Sequence, residues 1–271
     1  MPGNPKDPLN LSIVPLDLTF WGVRGSIPTP VTENLGYGGN TACLTIRYAD
    51  QPVLIFDAGT GIRALGNTLA HDAQVHLFLT HFHWDHIQGI PFFVPLQHAT
   101  MHSSSDPEDL ERILAAQMHH PYYPISMPSN LTYRQNGAEI GDIRIRPFPL
   151  HHPNGATGYR VESPDRSIVY ASDHEHGNPS ADATLREYAQ DADVLIYDAQ
   201  YTPEEYEHRR GWGHSTWREA VKLAHAANVK QLILFHHDPA RSDRQLEAIV
   251  RDAQAEFENT IAAKEGWSTR M

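Results

Sequence analysis

The stretch Phe78-Leu79-Thr80-His81-Phe82-His83-Trp84-Asp85-His86-Ile87-Gln88-Gly89 constrains this chain more than any other. It places three imidazoles and a carboxylate within six residues, directly behind the apolar run from Val75 to Leu79. That run reads as a strand. Alternate side chains of an extended segment share a face, so His81 and His83 point the same way. Asp85 and His86 follow where the chain must turn. Neutral imidazoles and carboxylates are donors that borderline divalent ions prefer. One such His would read as an ordinary core or surface residue, but four donors clustered at a strand end read as a metal site.

A site for two ions needs more donors than this cluster holds, and strand ends are where loops converge. Three further strand ends carry candidates, in Pro149-Leu150-His151-His152-Pro153, Tyr170-Ala171-Ser172-Asp173 and Leu234-Phe235-His236-His237-Asp238-Pro239. Two of them offer adjacent histidines, and the residues alone leave open His151 or His152, and His236 or His237.

Strands are expected at Leu16–Trp21, Thr41–Tyr48, Val53–Phe56, Leu131–Arg134, Ile143–Phe148, Gly158–Glu162, Ser167–Ala171, Val194–Tyr197 and Leu232–Phe235. Helices are expected at Ile62–Ala70, Asp106–His120, Ser215–Ala227 and Arg244–Asn259, the last with Leu246, Ile249, Val250, Ala253 and Phe257 on one face. Two strand-rich halves, each with helices, predict two sheets packed face to face under outer helices. The division expected is a disordered lead over residues 1–15, one domain over 16–260 and a C-terminal tail over 261–271. Asp57, after the third strand, reads either as a helix N-cap or as a carboxylate that orients a metal-bound imidazole. The Tyr122-Tyr123 pair reads as core packing or as a pocket wall.

Charge narrows the function. With 21 basic against 33 acidic residues the net charge is −12, which disfavours broad adhesion to nucleic acid or anionic membrane. Cys43 is the only cysteine, which rules out an intrachain disulfide and a thiolate cage. No run approaches the ~18 apolar residues of a membrane helix. A cytoplasmic setting is expected.

Thr-His-Phe-His-Trp-Asp-His-Ile-Gln-Gly resembles the H-x-H-x-D-H motif of metallo-β-lactamase-fold hydrolases. Phe20-Trp21-Gly22-Val23-Arg24-Gly25-Ser26, Phe56-Asp57-Ala58-Gly59-Thr60-Gly61 and Phe235-His236-His237-Asp238-Pro239 look like a bacterial branch described as cyclic-nucleotide phosphodiesterase-like. The resemblance runs from about Leu16 to Asp243. It implies an α+β fold, a four-layer αββα sandwich. It also implies two divalent ions, zinc first with manganese or iron as alternatives. His81, His83 and His152 would hold one ion, Asp85, His86 and His236 the other, and Asp173 would bridge them. Asp57 would stand beside the metal loop. Asp173 stands where one subclass of true β-lactamases has cysteine, which moves the expectation toward ester and phosphodiester hydrolysis. Gly211-Trp212-Gly213-His214-Ser215-Thr216 resembles a motif of the tRNase Z and phosphodiesterase branch, where the His sits beside the phosphate and an acid orients it. That acid would be Asp198, where the family more often has Glu.

The expected activity is therefore hydrolysis of a small phosphodiester such as a cyclic nucleotide, through a hydroxide shared by two ions. Catalytic roles fall to His214, Asp198 and Asp85. Arg24, Asn40, Tyr122, Tyr123 and Arg209 are candidate substrate residues. The alternatives are hydrolysis of a lactone, thioester or other carboxylic ester, RNA 3′-end processing, and a non-catalytic metal-binding module. A homodimer is expected; membrane and nucleic acid are not expected partners.

Overall fold

The computed structural model describes residues 15–271, so the lead expected over residues 1–15 lies, apart from Pro15, outside the described residues. Strands β1 (Leu16–Gly22), β2 (Cys43–Tyr48), β3 (Val53–Phe56), β4 (Val75–Phe78), β5 (Ala99–Ser103) and β6 (Thr132–Gln135) fall in one sheet. Strands β7 (Ala138–Ile140), β8 (Ile143–Leu150), β9 (Ala156–Glu162), β10 (Ser167–Ala171), β11 (Val194–Asp198), β12 (Gln231–Phe235) and β13 (Thr260–Ala262) form the other. The last strand, β14 (Ser268–Arg270), returns to the first sheet and pairs antiparallel with β1. The helices are α1 (Ile62–Gly66), α2 (Trp84–Ile87), α3 (Pro107–Gln117), α4 (Pro179–Ala189), α5 (Pro203–Tyr206), α6 (Trp217–Ala226) and α7 (Asp243–Glu256).

The period of two in the strands explains the layers. Ile168 and Tyr170 of β10, Val194 and Ile196 of β11, and Ile233 and Phe235 of β12 face the other sheet, where they meet Leu18, Phe20, Ile46 and Phe56. Their neighbours Val169, Leu195, Tyr197, Leu232 and Leu234 face outward, under Leu185 of α4, Trp217 and Val221 of α6, and Ile249 of α7. On the first sheet, Ile55, Leu77 and Met101 are covered by Ile62 and Leu65 of α1 and by Leu110 and Leu114 of α3. Strands covered on both faces read as continuous apolar runs. The result is the expected αββα sandwich.

The segment 261–271 is not a tail. Ala262 pairs with Leu234, Arg270 with Asp17, and Trp267 stacks on Phe20 at 6.0 Å. Its strands are only three residues long, too short for alternation to reveal them. The short β7, α2 and α5 escaped sequence reading likewise, and so did two longer elements. Strand β5 is Ala-Thr-Met-His-Ser, with His102 and Ser103 buried; α4 buries only Leu185 and Ala189. Helix α1 stops at Gly66 rather than Ala70, where glycine weakens the helix.

Topology sets the position of the site. Strands β3 and β4 run parallel, as do β10, β11 and β12, and β8 runs parallel to β10 across the antiparallel β9. The C-terminal ends of β3, β4, β8, β10, β11 and β12 deliver Asp57, the His81–His86 loop, His152, Asp173, Asp198 and His236 respectively. Loops at the carboxyl ends of such strands form the crevice where open α/β sheets bind ligands.

Candidate metal centre

Asp57, Asp173 and His236 all have left-handed backbones, with φ of 60°, 59° and 57°. For residues other than glycine this costs about 1–3 kcal/mol each, and such strain concentrates at functional sites. Each lies at the end of a strand, where the turn aims its side chain along the sheet edge into one buried cluster.

Two donor sets match the expected ligands, and a third group joins Asp173, Asp198, His214 and His236. His81, His83, His152 and Asp173 place one ligand atom each within 4.8 Å of one another, and so do Asp85, His86, His236 and Asp173. Asp173 faces both sets with different oxygens. Its Oδ1 lies 3.1 Å from His86 Nε2 and 3.2 Å from His236 Nε2, while its Oδ2 lies 3.7 Å from His81 Nε2 and 3.6 Å from His152 Nε2.

Hydrogen bonds fix the tautomers. His86 Nδ1 donates to Asp57 at 2.8 Å, His236 Nδ1 to Gln200 Oε1 at 2.8 Å, and His152 Nδ1 to the Gly213 carbonyl at 2.8 Å. Thr80 donates its hydroxyl proton to Asp57 and accepts from His81 Nδ1 at 3.0 Å. All four Nε2 lone pairs are thereby turned inward. His86 Nε2 and His236 Nε2 stand 3.3 Å apart, and His152 Nε2 stands 3.1 Å from His83 Nδ1. The buried His81 Nε2 has no hydrogen-bond partner among the described residues. Converging lone pairs and clustered carboxylates repel unless a cation lies between them, so the residues fit two divalent ions. In the metal-free chain, burial and then His86 pull His81 well below the ordinary imidazole range. Burial also lowers His152. At His86 burial opposes protonation, but Asp173, Asp57 and Asp85 overcome it and hold that imidazole well above the range.

The ambiguous pairs resolve by contact. His152 joins the cluster, while the exposed His151 bonds through Nδ1 to the Glu175 carbonyl. His236 joins the other set, while His237 is buried against the Ala263 carbonyl. Asp57 is no N-cap. Helix α1 is capped by Gly61, whereas Asp57 accepts from Thr80, from Tyr170 Oη at 2.7 Å and from His86. His214 Nδ1 donates to Asp198 Oδ2 at 2.8 Å, so the shorter acid reaches it. Asp198 also accepts the Asp173, Gln200 and Ser215 backbone N–H groups. Burial works against the His214 charge, yet Asp198 raises its pKa to about 9. Asp85 Oδ2 takes the Ser26 N–H at 2.6 Å and lies 3.2 Å from His236 Nε2.

Several candidate substrate residues are corrected. Arg24 is fully buried and staples loops through the Gly38, Asp238 and Arg241 carbonyls. Asn40 clasps Glu265 with its backbone and side-chain nitrogens. Tyr123 bonds the Pro91 carbonyl and packs on Phe92, while the exposed Tyr122 meets His119. None of these contacts reaches a ligand residue. Arg209 stays close, its guanidinium 5.0 Å from the Tyr201 ring that sits edge-on to His214.

Sequence reading missed Glu175, Gln200 and Tyr170. Glu175 accepts the Gly211 N–H at 2.6 Å, the Gly213 N–H at 2.8 Å and the Tyr206 hydroxyl at 3.0 Å. Gly213 has φ of +90°, and a Cβ there would stand 2.2 Å from His152 Nδ1, so the loop closes on the ligand only with glycine. A carboxylate two residues past Asp173 was the one available signal.

A family model described as a beta-lactamase superfamily domain matches residues 53–237. A Ribonuclease Z of Haloferax volcanii is 26% identical over 276 residues, covering 80% of this chain and 83% of that protein. Among solved structures, the metallo-beta-lactamase fold protein YhfI of Bacillus subtilis superposes with TM-score 0.74 at 16% identity, over 95% of this chain and 100% of that one. A diphosphatase of the PhnP family superposes with TM-score 0.70 at 18% identity, over 95% and 97%.

Proposed function

The chain belongs to the beta-lactamase superfamily as a metal-dependent hydrolase of the metallo-β-lactamase fold, and from that premise we propose that it cleaves a small phosphodiester such as a cyclic nucleotide. One observation carries the reading: the His214–Asp198 pair stands against the Asp173 bridge, with His214 Nδ1 3.8 Å from Asp173 Oδ2. A departing alkoxide needs such a proton donor, whereas a thiolate or an activated phenolate does not.

Two divalent ions, which we take to be zinc with manganese or iron as alternatives, would be held by His81, His83 and His152, by Asp85, His86 and His236, and by Asp173 between them. They would supply Lewis acidity and a water nucleophile at neutral pH. The rest is done by side chains of this chain. Asp198 fixes the His214 proton at Nδ1, so Nε2 is the atom that meets substrate. The Asp198 carboxylate favours the charged imidazole, and Nε2 would give its proton to the departing oxygen. Arg209, above Tyr201, lies at the margin as a partner for a phosphate oxygen.

The test is hydrolysis of bis(p-nitrophenyl) phosphate and a panel of cyclic nucleotides by metal-loaded protein, beside Asp173→Ala. Turnover that disappears in the variant is expected. No phosphodiester turnover with about two ions bound per chain would discard the reading in favour of a carboxylic ester.

RNA 3′-end processing is the second reading, supported by the relatives named Ribonuclease Z. The charge of −12 weighs against it. Cleavage of a precursor RNA at a kcat/KM above that for every small diester would reverse the order.

A further inference from the structure

A cleft of about 530 Å³ opens directly beside His81 and His83, a size ordinary for a small-molecule site. Its walls come from both sheets: Ser103 to Ser105 at the end of β5, Asn136 after β6, and Asn154 to Thr157 from the β8–β9 turn into the start of β9. Phe82, Pro147 and Pro149 supply apolar lining. None of the residues lining it is Lys, Arg, Asp or Glu.

This chemistry selects a ligand. A polyphosphate or a nucleic-acid backbone needs guanidinium or ammonium partners to replace its hydration, and the cleft has none. A neutral group carrying several hydroxyl and amide functions finds both donors and acceptors. Thr157 Oγ1 donates to Ser104 Oγ at 3.0 Å, which leaves the Ser104 proton without an acceptor among the described residues. Ser103 Oγ accepts the Ser105 N–H at 3.0 Å, which shapes the serine run into a turn with its hydroxyls at the cleft. Asn136 sits at φ of 68°, its backbone N–H bonded to the Ser103 carbonyl at 2.7 Å, so its amide is presented by a locked turn.

We propose that this cleft is a binding site for the uncharged sugar-and-base part of the substrate, so that the enzyme prefers diesters of a neutral nucleoside over those bearing a further phosphate. The attached reacting phosphate follows from the diester reading above; the binding of the nucleoside does not depend on it.

The experiment titrates an unphosphorylated nucleoside into metal-loaded protein by calorimetry, and separately compares the p-nitrophenyl 5′-phosphodiester of that nucleoside with its 3′-phosphorylated form. Two variants probe the walls. Ser104→Arg places a bulky cation at the exposed rim. Asn136→Gly removes the amide while tolerating the left-handed turn. Expected are a loss of nucleoside affinity of tenfold or more in Ser104→Arg and severalfold in Asn136→Gly, at unchanged metal content. In wild type kcat/KM favours the neutral ester at least tenfold, and Ser104→Arg erases that preference. Nucleoside affinity within twofold of wild type in both variants overturns the site, and so does equal use of the two esters. If no diester is cut while nucleoside binding behaves as expected, the cleft stands and the hydrolytic reading falls.

Discussion

His214 is buried against Asp198, which is itself placed by the Asp173 and Ser215 backbone N–H groups. If His214 hands over a proton, as proposed, rather than holding metal, His214→Ala should lower kcat by about 10²–10⁴-fold. Elemental analysis should still find the wild-type metal content. Loss of an ion in that variant would make His214 a ligand, an arrangement that the near approach of Asp173, Asp198, His214 and His236 makes worth checking. A second residue-scale expectation lies outside the site. His102 is buried, stacked on Phe78 at 4.3 Å, and its Nε2 meets His76 Nδ1 at 2.9 Å. Burial, then the neighbouring His76, lower its pKa to about 3. Unfolding restores a value near 6.5, so below pH ~6.5 the unfolded chain binds the extra proton. Stability contributed at this position is therefore intact above pH ~6.5 and falls as pH drops toward 3, by at most about 1.4 kcal/mol per pH unit. Urea unfolding of the metal-free wild type and His102→Gln from pH 7.5 to 5 checks this; pH curves that run parallel would refute it.

At the scale of elements, the loop between α5 and α6 carries His214 and also the Gly213 carbonyl that orients His152. A single carboxylate, Glu175, holds two N–H groups of that loop. Those N–H groups, with Tyr206, hold its pKa below the usual range although burial opposes them. Glu175→Gln puts an amide NH₂ against backbone donors and should loosen the loop. A misplacement of ~1 Å at a reacting group can cost about 10²-fold. If Glu175 acts by positioning His214, the loss of kcat should be severalfold larger for an alkyl leaving group than for p-nitrophenolate, which departs without a proton. An equal loss for both would reduce Glu175 to general loop support. The serine run after β5 belongs at this scale too, because β5, with its buried His102 and Ser103, holds that run at the edge where the cleft opens.

For the whole molecule, the centre joins the two sheets at their common edge. Asp57, His81, His83, Asp85 and His86 come from the first sheet and its loops, and His152, Asp173 and His236 from the second. Metal bound there would add to the interface between the halves as well as to local order, and would relieve the repulsion among Asp85, Asp173 and the inward lone pairs. An ion that binds only the folded chain adds about 2.7 kcal/mol when its concentration is 100 times Kd. Dialysis against a strong chelator should lower Tm by at least about 5 °C, with recovery on adding zinc. Scanning calorimetry that finds identical transitions would mean that the cluster is not filled in solution. Among the described residues no helix is long and apolar enough to cross a membrane.

What the sequence determined by itself was whatever is written in short range. Apolar runs marked the covered strands, the donor cluster at His81–His86 followed the strand that ends at Phe78, and the acidic and histidine residues closed later strands. Local pattern carries this because period-two burial and strand-end chemistry involve neighbours in the chain. The tertiary structure alone decided between His151 and His152 and between His236 and His237, since adjacent residues differ only in what faces them. It also buried Arg24 and tied Asn40 into loop staples, made sheet strands of residues expected as a tail, and set Glu175 beneath a loop 36 residues away. Those outcomes depend on partners far off in sequence, and no local pattern encodes which distant carbonyl or N–H a side chain will meet.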